Sequence, residues 1–251
     1  MTSITRLFAS TAVFAFATFS SVQAGSFTPE QKTEMQEIIR SYLLANPDLL
    51  REMATNLEAK DKQAEEDMRT KAMSTLGPEI FKTAADPSIG NPKGDVTIVE
   101  FMDYNCGWCK KSMSEVSTLL KADDKLRVVF KEFPIFGEHS EYAARAALAA
   151  AKQNKYWELH QAMFSHEGQV TTDVVNQLAE GLGLDMAKLK TDIGSKEIGE
   201  RIAANMQLGK QLAINGTPAF IIDDQVHGGY LPLDGMVAAI AEVRLKGCKL
   251  C

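Results

Sequence analysis

Cys106-Gly107-Trp108-Cys109 sets two thiols three residues apart, where a strand-like run gives way to a helix-like one. Residues at i and i+3 share one face of a helix, so the two sulfurs come within bridging distance. The first turn of a helix carries partial positive charge and unpaired N–H groups, which favour a thiolate on Cys106. A static crosslink explains the placement poorly, because closing so short a loop removes little chain entropy. The chemistry that fits is a reversible dithiol/disulfide, with Cys106 attacking and Cys109 resolving.

The elements that must hold this pair are legible on either side. Val96 to Met102 reads as a buried strand, Gly107 to Lys121 as a helix and Leu126 to Phe133 as a second strand. That is a βαβ unit with parallel neighbours and a right-handed crossover. Cys109, Met113, Val116 and Leu120 share one helix face, which turns the second cysteine inward and leaves Cys106 at the tip. Residues 86–95, with Pro87, Gly90, Pro92 and Gly94, read as a boundary loop. From about 139 to 213 the pattern is helical throughout. A hairpin follows, Ala219 to Ile222 and Gln225 to His227, and then a helix from Leu233 to Lys246 stopped by Gly247. The expected fold class is α/β, a small sheet interrupted by a helical insertion.

The N-terminal quarter differs. Residues 1–24 read as a signal peptide: Arg6, an apolar run from Leu7 to Phe19, and small residues around Ala24 at the cleavage point. The full chain carries a formal net charge of −6, and losing Arg6 makes it one unit more acidic. An acidic balance without a basic stripe argues against nucleic acid as a partner. Residues 25–85 are helical and charged. Thr28 and Pro29 look like a cap and first turn, and Asn46-Pro47-Asp48 separates two helices. Met35, Ile38, Ile39, Tyr42 and Leu43 form one apolar stripe, continued on the second helix by Leu50, Met53, Leu57, Ala64 and Met68. So thin a stripe needs a partner, either a second copy of itself or its own domain, and self-association is favoured.

The run Val99-Glu100-Phe101-Met102-Asp103-Tyr104-Asn105-Cys106-Gly107-Trp108-Cys109-Lys110, together with Gly216-Thr217-Pro218-Ala219-Phe220, resembles the DsbA-like branch of the thioredoxin superfamily. That resemblance covers about Ile89 to Lys246. The stretch Phe27 to Leu57, above all Leu44-Ala45-Asn46-Pro47-Asp48-Leu49-Leu50, is similar to the N-terminal oligomerisation segment of ScsC-type proteins, thiol oxidoreductases associated with copper tolerance. The implied layout is a helical oligomerisation segment over 25–85, then a thioredoxin domain over 86–251 with a helical insertion at about 139–213.

The resemblance implies roles for further residues. Thr217-Pro218 matches the cis-proline loop that faces the active disulfide, and a cis bond there frees backbone groups to pair with an extended client strand; an ordinary trans turn after Gly216 is the alternative. Threonine before that proline resembles isomerase-type relatives more than the oxidase. Glu100 resembles the family's buried acid, a proton relay to Cys109, and Lys131 on the partner strand is expected to pair with it. Trp108 offers an aromatic surface to clients and has no charge with which to steady a thiolate, which points to a less oxidising couple.

Cys248 and Cys251 depart from the family pattern. A second closed disulfide is the default reading, with an electron relay or a soft-metal site as sharper ones. A zinc site shared by both pairs is disfavoured, since their separation far exceeds the roughly 15–20 residues of zinc ribbons. His139, His160, His166 and His227 lack ligand spacing and read as helix-surface or packing residues. The resulting expectation is a periplasmic, homo-oligomeric thiol-disulfide oxidoreductase, isomerase or reductase before oxidase, with no cofactor and no metal. Its partners would be cysteine-bearing client proteins and a membrane redox partner; a copper-handling thiol protein is the reading from another class.

Overall fold

The computed structural model describes residues 27–82 and 84–250. The signal peptide expected over 1–24 and the C-terminal Cys251 lie outside those residues. Compact packing divides the chain into one unit ending at Leu57 and another from Glu58 onward.

In the first unit, α1 (Pro29–Ala45) opens on a reciprocal cap. Thr28 Oγ1 accepts from Gln31 N at 3.3 Å, and Gln31 Oε1 accepts from Thr28 N at 2.9 Å, so two otherwise orphaned amides are satisfied. Asn46 ends the helix by donating from Nδ2 to the Tyr42 carbonyl at 2.8 Å. No residue of α1 is buried. Ile38, Ile39 and Tyr42 each expose more than half their surface, as do Leu50, Met53 and Leu57 on α2 (Asp48–Phe81).

The second unit is built on a five-stranded sheet of β1 (Ser88–Gly90), β2 (Val96–Met102), β3 (Leu126–Glu132), β4 (Ala219–Ile222) and β5 (Gln225–Gly228), in the order β1-β3-β2-β4-β5. Only β2 and β3 pair in parallel, joined through α3 (Gly107–Ala122). Between β3 and β4 come α4 (Glu138–Ala151), α5 (Tyr156–Ser165), α6 (Thr172–Gly181), α7 (Met186–Ile193) and α8 (Lys196–Gln211); α9 (Leu233–Lys246) closes the chain. This is the expected α/β layout, a sheet interrupted by helices. Among the described residues no helix is long and apolar enough to cross a membrane.

Both faces of the sheet are covered, so β2 is buried along its whole length. Ile98, Met102, Val128, Phe130, Phe220 and Ile222 face a core shared with α3 to α9. Val99, Phe101, Val129 and Ile221 face a second core closed by Ala72, Met73, Ile80 and Phe81 of α2 and by Leu208 and Leu212. Each fully buried Phe or Ile contributes about 1.5–3 kcal/mol. The last turns of α2 belong to the sheet's own core, because small and apolar residues replace the charged stretch from Ala72 onward.

Two smaller differences follow from local geometry. Part of the expected boundary loop is strand: β1 pairs antiparallel with β3, Ser88 opposite Val129. Gly90 makes the exit, at φ +92°, where an added Cβ would meet the Leu126 carbonyl oxygen at 2.4 Å. On α3 the buried face is Cys109, Ser112, Val116 and Leu119, with Met113 and Leu120 half-buried at its margin.

Candidate active site

Every element around Cys106 is tied down. Residues 103–105 leave the end of β2 as a short turn, in which Cys106 N donates to the Asp103 carbonyl at 3.1 Å. The Asp103 carboxylate accepts from the amides of Asn105, Ile135 and Phe136 at 2.7, 2.8 and 3.1 Å. Asn105 then bonds Val170 N through Oδ1 at 2.8 Å and Ser140 Oγ through Nδ2 at 3.1 Å. The turn is thus pinned both to the end of β3 and to the helical insertion.

Cys106 is the N-cap of α3. Its Sγ accepts from Cys109 N at 3.3 Å and donates to the Thr217 carbonyl at 3.2 Å. Both thiols are reduced, Cys106 is only 5% exposed and Cys109 is sealed. The attacking sulfur expected at an open helix tip is recessed, since the Thr217-Pro218 loop lies across it. That peptide bond is cis.

The two sulfurs differ in acidity. The Cys106 thiol is lowered to about 6, first by the Cys109 thiol, then by the Thr217 side chain and the amides of Cys109 and Trp108, all against an opposing cost of burial. Thr217 Oγ1 is buried with no hydrogen bond of ordinary geometry; a thiolate is the acceptor it lacks. Burial pushes the Cys109 thiol far up, reinforced by Cys106 and Glu100. Glu100, on the same face, is raised to about 8 by burial and then by the charge of Cys106.

Lys131 does not pair with Glu100. The parallel register sets Glu100 beside Phe130 and Lys131 beside Phe101, and side chains alternate across a sheet. Lys131 consequently lies on the opposite face, ion-paired with Asp86 and donating to the Glu79 carbonyl at 2.6 Å. Arg201 and Asn205 complete that cluster, donating to the Asp86 carboxylate at 2.8 and 3.2 Å.

Trp108 is 58% exposed. Its ring lies 5.4 Å from that of Tyr230, with Lys111 over both. Of the histidines, His139 is on α4, His166 ends α5, and His227 lies on β5 rather than on a helix. His160 is packed, yet it belongs to a polar cluster that sequence reading missed. Tyr104 and Tyr156 both donate to Glu132 Oε1 at 3.0 Å, and Tyr104 Oη lies 3.0 Å from His160 Nδ1. Burial holds the Glu132 carboxyl well above its ordinary range and lowers His160 to about 3. The signal available in sequence was Tyr156 and His160 at i and i+4 on a helix.

Cys248 is disulfide-bonded and its Sγ lies 3.4 Å from Asp223 Oδ1, an oxygen that accepts from the amides of Lys249 and Leu250. The pairing expected between Cys248 and Cys251 falls outside the described residues. Among the described residues no three His, Cys, Asp or Glu side chains gather to hold a metal ion.

Comparison with known proteins agrees with this architecture. Residues 97–241 match the model of the DSBA-like thioredoxin domain, and residues 31–64 match that of the copper resistance protein ScsC N-terminal domain. A thioredoxin-like oxidoreductase from Silicibacter pomeroyi is 40% identical with a TM-score of 0.66, covering 67% of this chain and 97% of its own. The thiol-disulfide exchange protein alpha-DsbA2 from Wolbachia pipientis is 28% identical with a TM-score of 0.66, covering 72% and 98%. A linker-deletion mutant of Proteus mirabilis ScsC shares the fold at a TM-score of 0.68 and 23% identity, covering 89% of this chain and all of its own. Among curated relatives, a Na(+)/H(+) antiporter NhaA from Salinispora tropica is 28% identical over 153 residues; the match takes in 60% of this chain and 24% of that protein.

Proposed function

This chain belongs to the DsbA-like thioredoxin family, and from that premise we propose that it exchanges disulfides with client proteins through Cys106 and Cys109, as an isomerase or reductase before an oxidase. The observation that carries the reading is the inequality of the two sulfurs: one acidified at a helix cap, the other buried and held protonated three residues on. Sequential attack needs that inequality, whereas metal capture by a thiolate pair draws on both sulfurs together.

The Cys106 thiolate attacks one sulfur of a client disulfide; a mixed disulfide forms and the second client sulfur leaves as a thiolate. In isomerisation a client thiolate then displaces Cys106, which returns unchanged in oxidation state. In reduction Cys109 loses its proton and attacks Cys106, leaving the chain oxidised and the client reduced by two electrons. Glu100 is suited to accept that proton. Its own proton is held first by burial and then by the charge on Cys106; the mixed disulfide removes that charge, which lowers the Glu100 pKa as Cys109 needs a base. Lys131 has no part in this relay. Trp108 and the Thr217-Pro218 loop meet the client beside the sulfur.

Thr217 and the uncharged Trp108 favour isomerase; the acidity of Cys106, which steadies the reduced state, favours oxidase. Reactivation of scrambled ribonuclease decides. The isomerase reading expects recovery of activity that Cys106→Ser abolishes; rapid oxidation of reduced peptide without any reactivation would sink it in favour of the oxidase.

The exposed apolar stripe of α1 supports self-association, and the matched ScsC N-terminal domain supports the same reading. Removing residues 27–57, which leaves the core turns of α2 in place, should reduce the assembly to a monomer by light scattering; unchanged mass would count against it. The periplasm is the compartment that suits this chemistry, with a membrane redox partner restoring the reduced pair.

A further inference from the structure

One charged side chain beside the site has no role in the chemistry above. Arg69, on α2, lines a groove of about 310 Å³ whose other walls are residues 215–217 and the β4–β5 hairpin. The groove touches the reactive centre through Thr217, whose carbonyl holds the Cys106 sulfur at 3.2 Å. It is floored by Gly216, Gly228 and Gly229, which leave backbone uncovered, and β5 is the outermost strand on that side.

Among the lining residues Arg69 is the single charged one. Its guanidinium makes one long hydrogen bond, from Nε to the Leu212 carbonyl at 3.4 Å, and among the described residues no carboxylate pairs with it. A half-buried guanidinium with most of its donors unused is a receptor for a planar anion, since its fork matches a carboxylate in a bidentate manner. A client joined to Cys106 runs along the Thr217 loop. In an extended segment, same-side residues recur about every 7 Å, so a side chain close in sequence to the client cysteine enters this groove.

We propose that Arg69 is a specificity-determining residue, selecting client segments that carry an aspartate or glutamate within three positions of the reactive cysteine. The inference rests on the reading that Cys106 is the attacking sulfur.

The test uses the reduced full chain and short synthetic peptides closed by an internal disulfide, with glutamate, glutamine or lysine placed in turn at each of the three positions on either side of one cysteine. The readout is the initial rate of peptide reduction, in which Cys106 and Cys109 are oxidised as the two peptide thiols are released. At one position at least, the glutamate peptide should react about threefold to tenfold faster than its glutamine twin, the yield of a partly shielded ion pair. Arg69→Gln should erase that preference while leaving the glutamine-peptide rate unchanged, Arg69→Lys should keep part of it, and half-molar salt should shrink it. Equal rates in the unaltered chain at every position, or a preference that survives Arg69→Gln, would overturn the proposal and leave the exchange reading standing. Failure to reduce any peptide would overturn both.

Discussion

On one face of β2 and β3, the Lys131 ammonium lies against Asp86, with Arg201, Asn205 and the Glu79 carbonyl around it. On the other face, one residue away along the neighbouring strand, Glu100 is as deeply buried and, among the described residues, no cation pairs with it. Sheet, strands and depth are the same; partners differ. On the first face the charges meet compensating partners, and the cluster joins α2, α8 and the loop at Asp86 to the sheet. A buried carboxyl without a cation changes state within the neutral range, and does so in response to the sulfur it faces. The comparison teaches that burial by itself marks no function here; what separates framework from reactive group is whether the charge is compensated.

The largest expected effect breaks the compensated face. Asp86→Ala strands Lys131, while Arg201 keeps the Glu79 carboxylate at 2.6 Å, and should cost about 3–5 kcal/mol in denaturant unfolding, with peptide reduction by the folded fraction intact. A loss below about 1 kcal/mol would mean that the cluster is no more than a solvated pair, and the contrast between faces would fall.

A smaller effect sharpens the other face. The folded chain keeps the Glu100 proton up to about pH 8, while the unfolded chain gives it up near the ordinary carboxylate value. Stability should therefore fall as pH rises between those limits. The difference in stability between reduced Glu100→Gln and unaltered protein isolates this term from the opposite one of Cys106, whose lowered pKa adds stability from about pH 6 upward. Glu100→Gln should gain roughly 2–4 kcal/mol by pH 8 and nothing at pH 4. The same variant should keep the alkylation midpoint of Cys106 near pH 6, because Glu100 is neutral there. A pH-independent difference, or a midpoint displaced by a full unit, would show the two groups to be uncoupled or differently charged.

How far the residues announced all this can be followed position by position. The strand from Val96 and the helix from Gly107 were visible as a buried apolar run and a 3.6-residue period, and with them Cys106 at the cap and Cys109 inward. Glu100 was named through the family resemblance, as the buried acid on that strand. Its assignment to Lys131 failed because two parallel strands can be read in either parity, and only the register decides which side chains share a face. Asp86 and Arg69 looked like ordinary loop and helix charges, since their partners or grooves come from residues 45 to more than a hundred positions away.

By itself, then, the order of residues determined what is local: helices and strands, the cap that acidifies one thiol, the apolar stripe of α1. Tertiary structure alone decided what is shared between distant segments: the loop at Thr217 laid across Cys106, the faces that separate Glu100 from Lys131, and the burial that holds Cys109 and Glu100 protonated. The reason is physical. Hydrogen bonding within a turn depends on neighbours in the chain, whereas the desolvation of a charge depends on everything that excludes water from it.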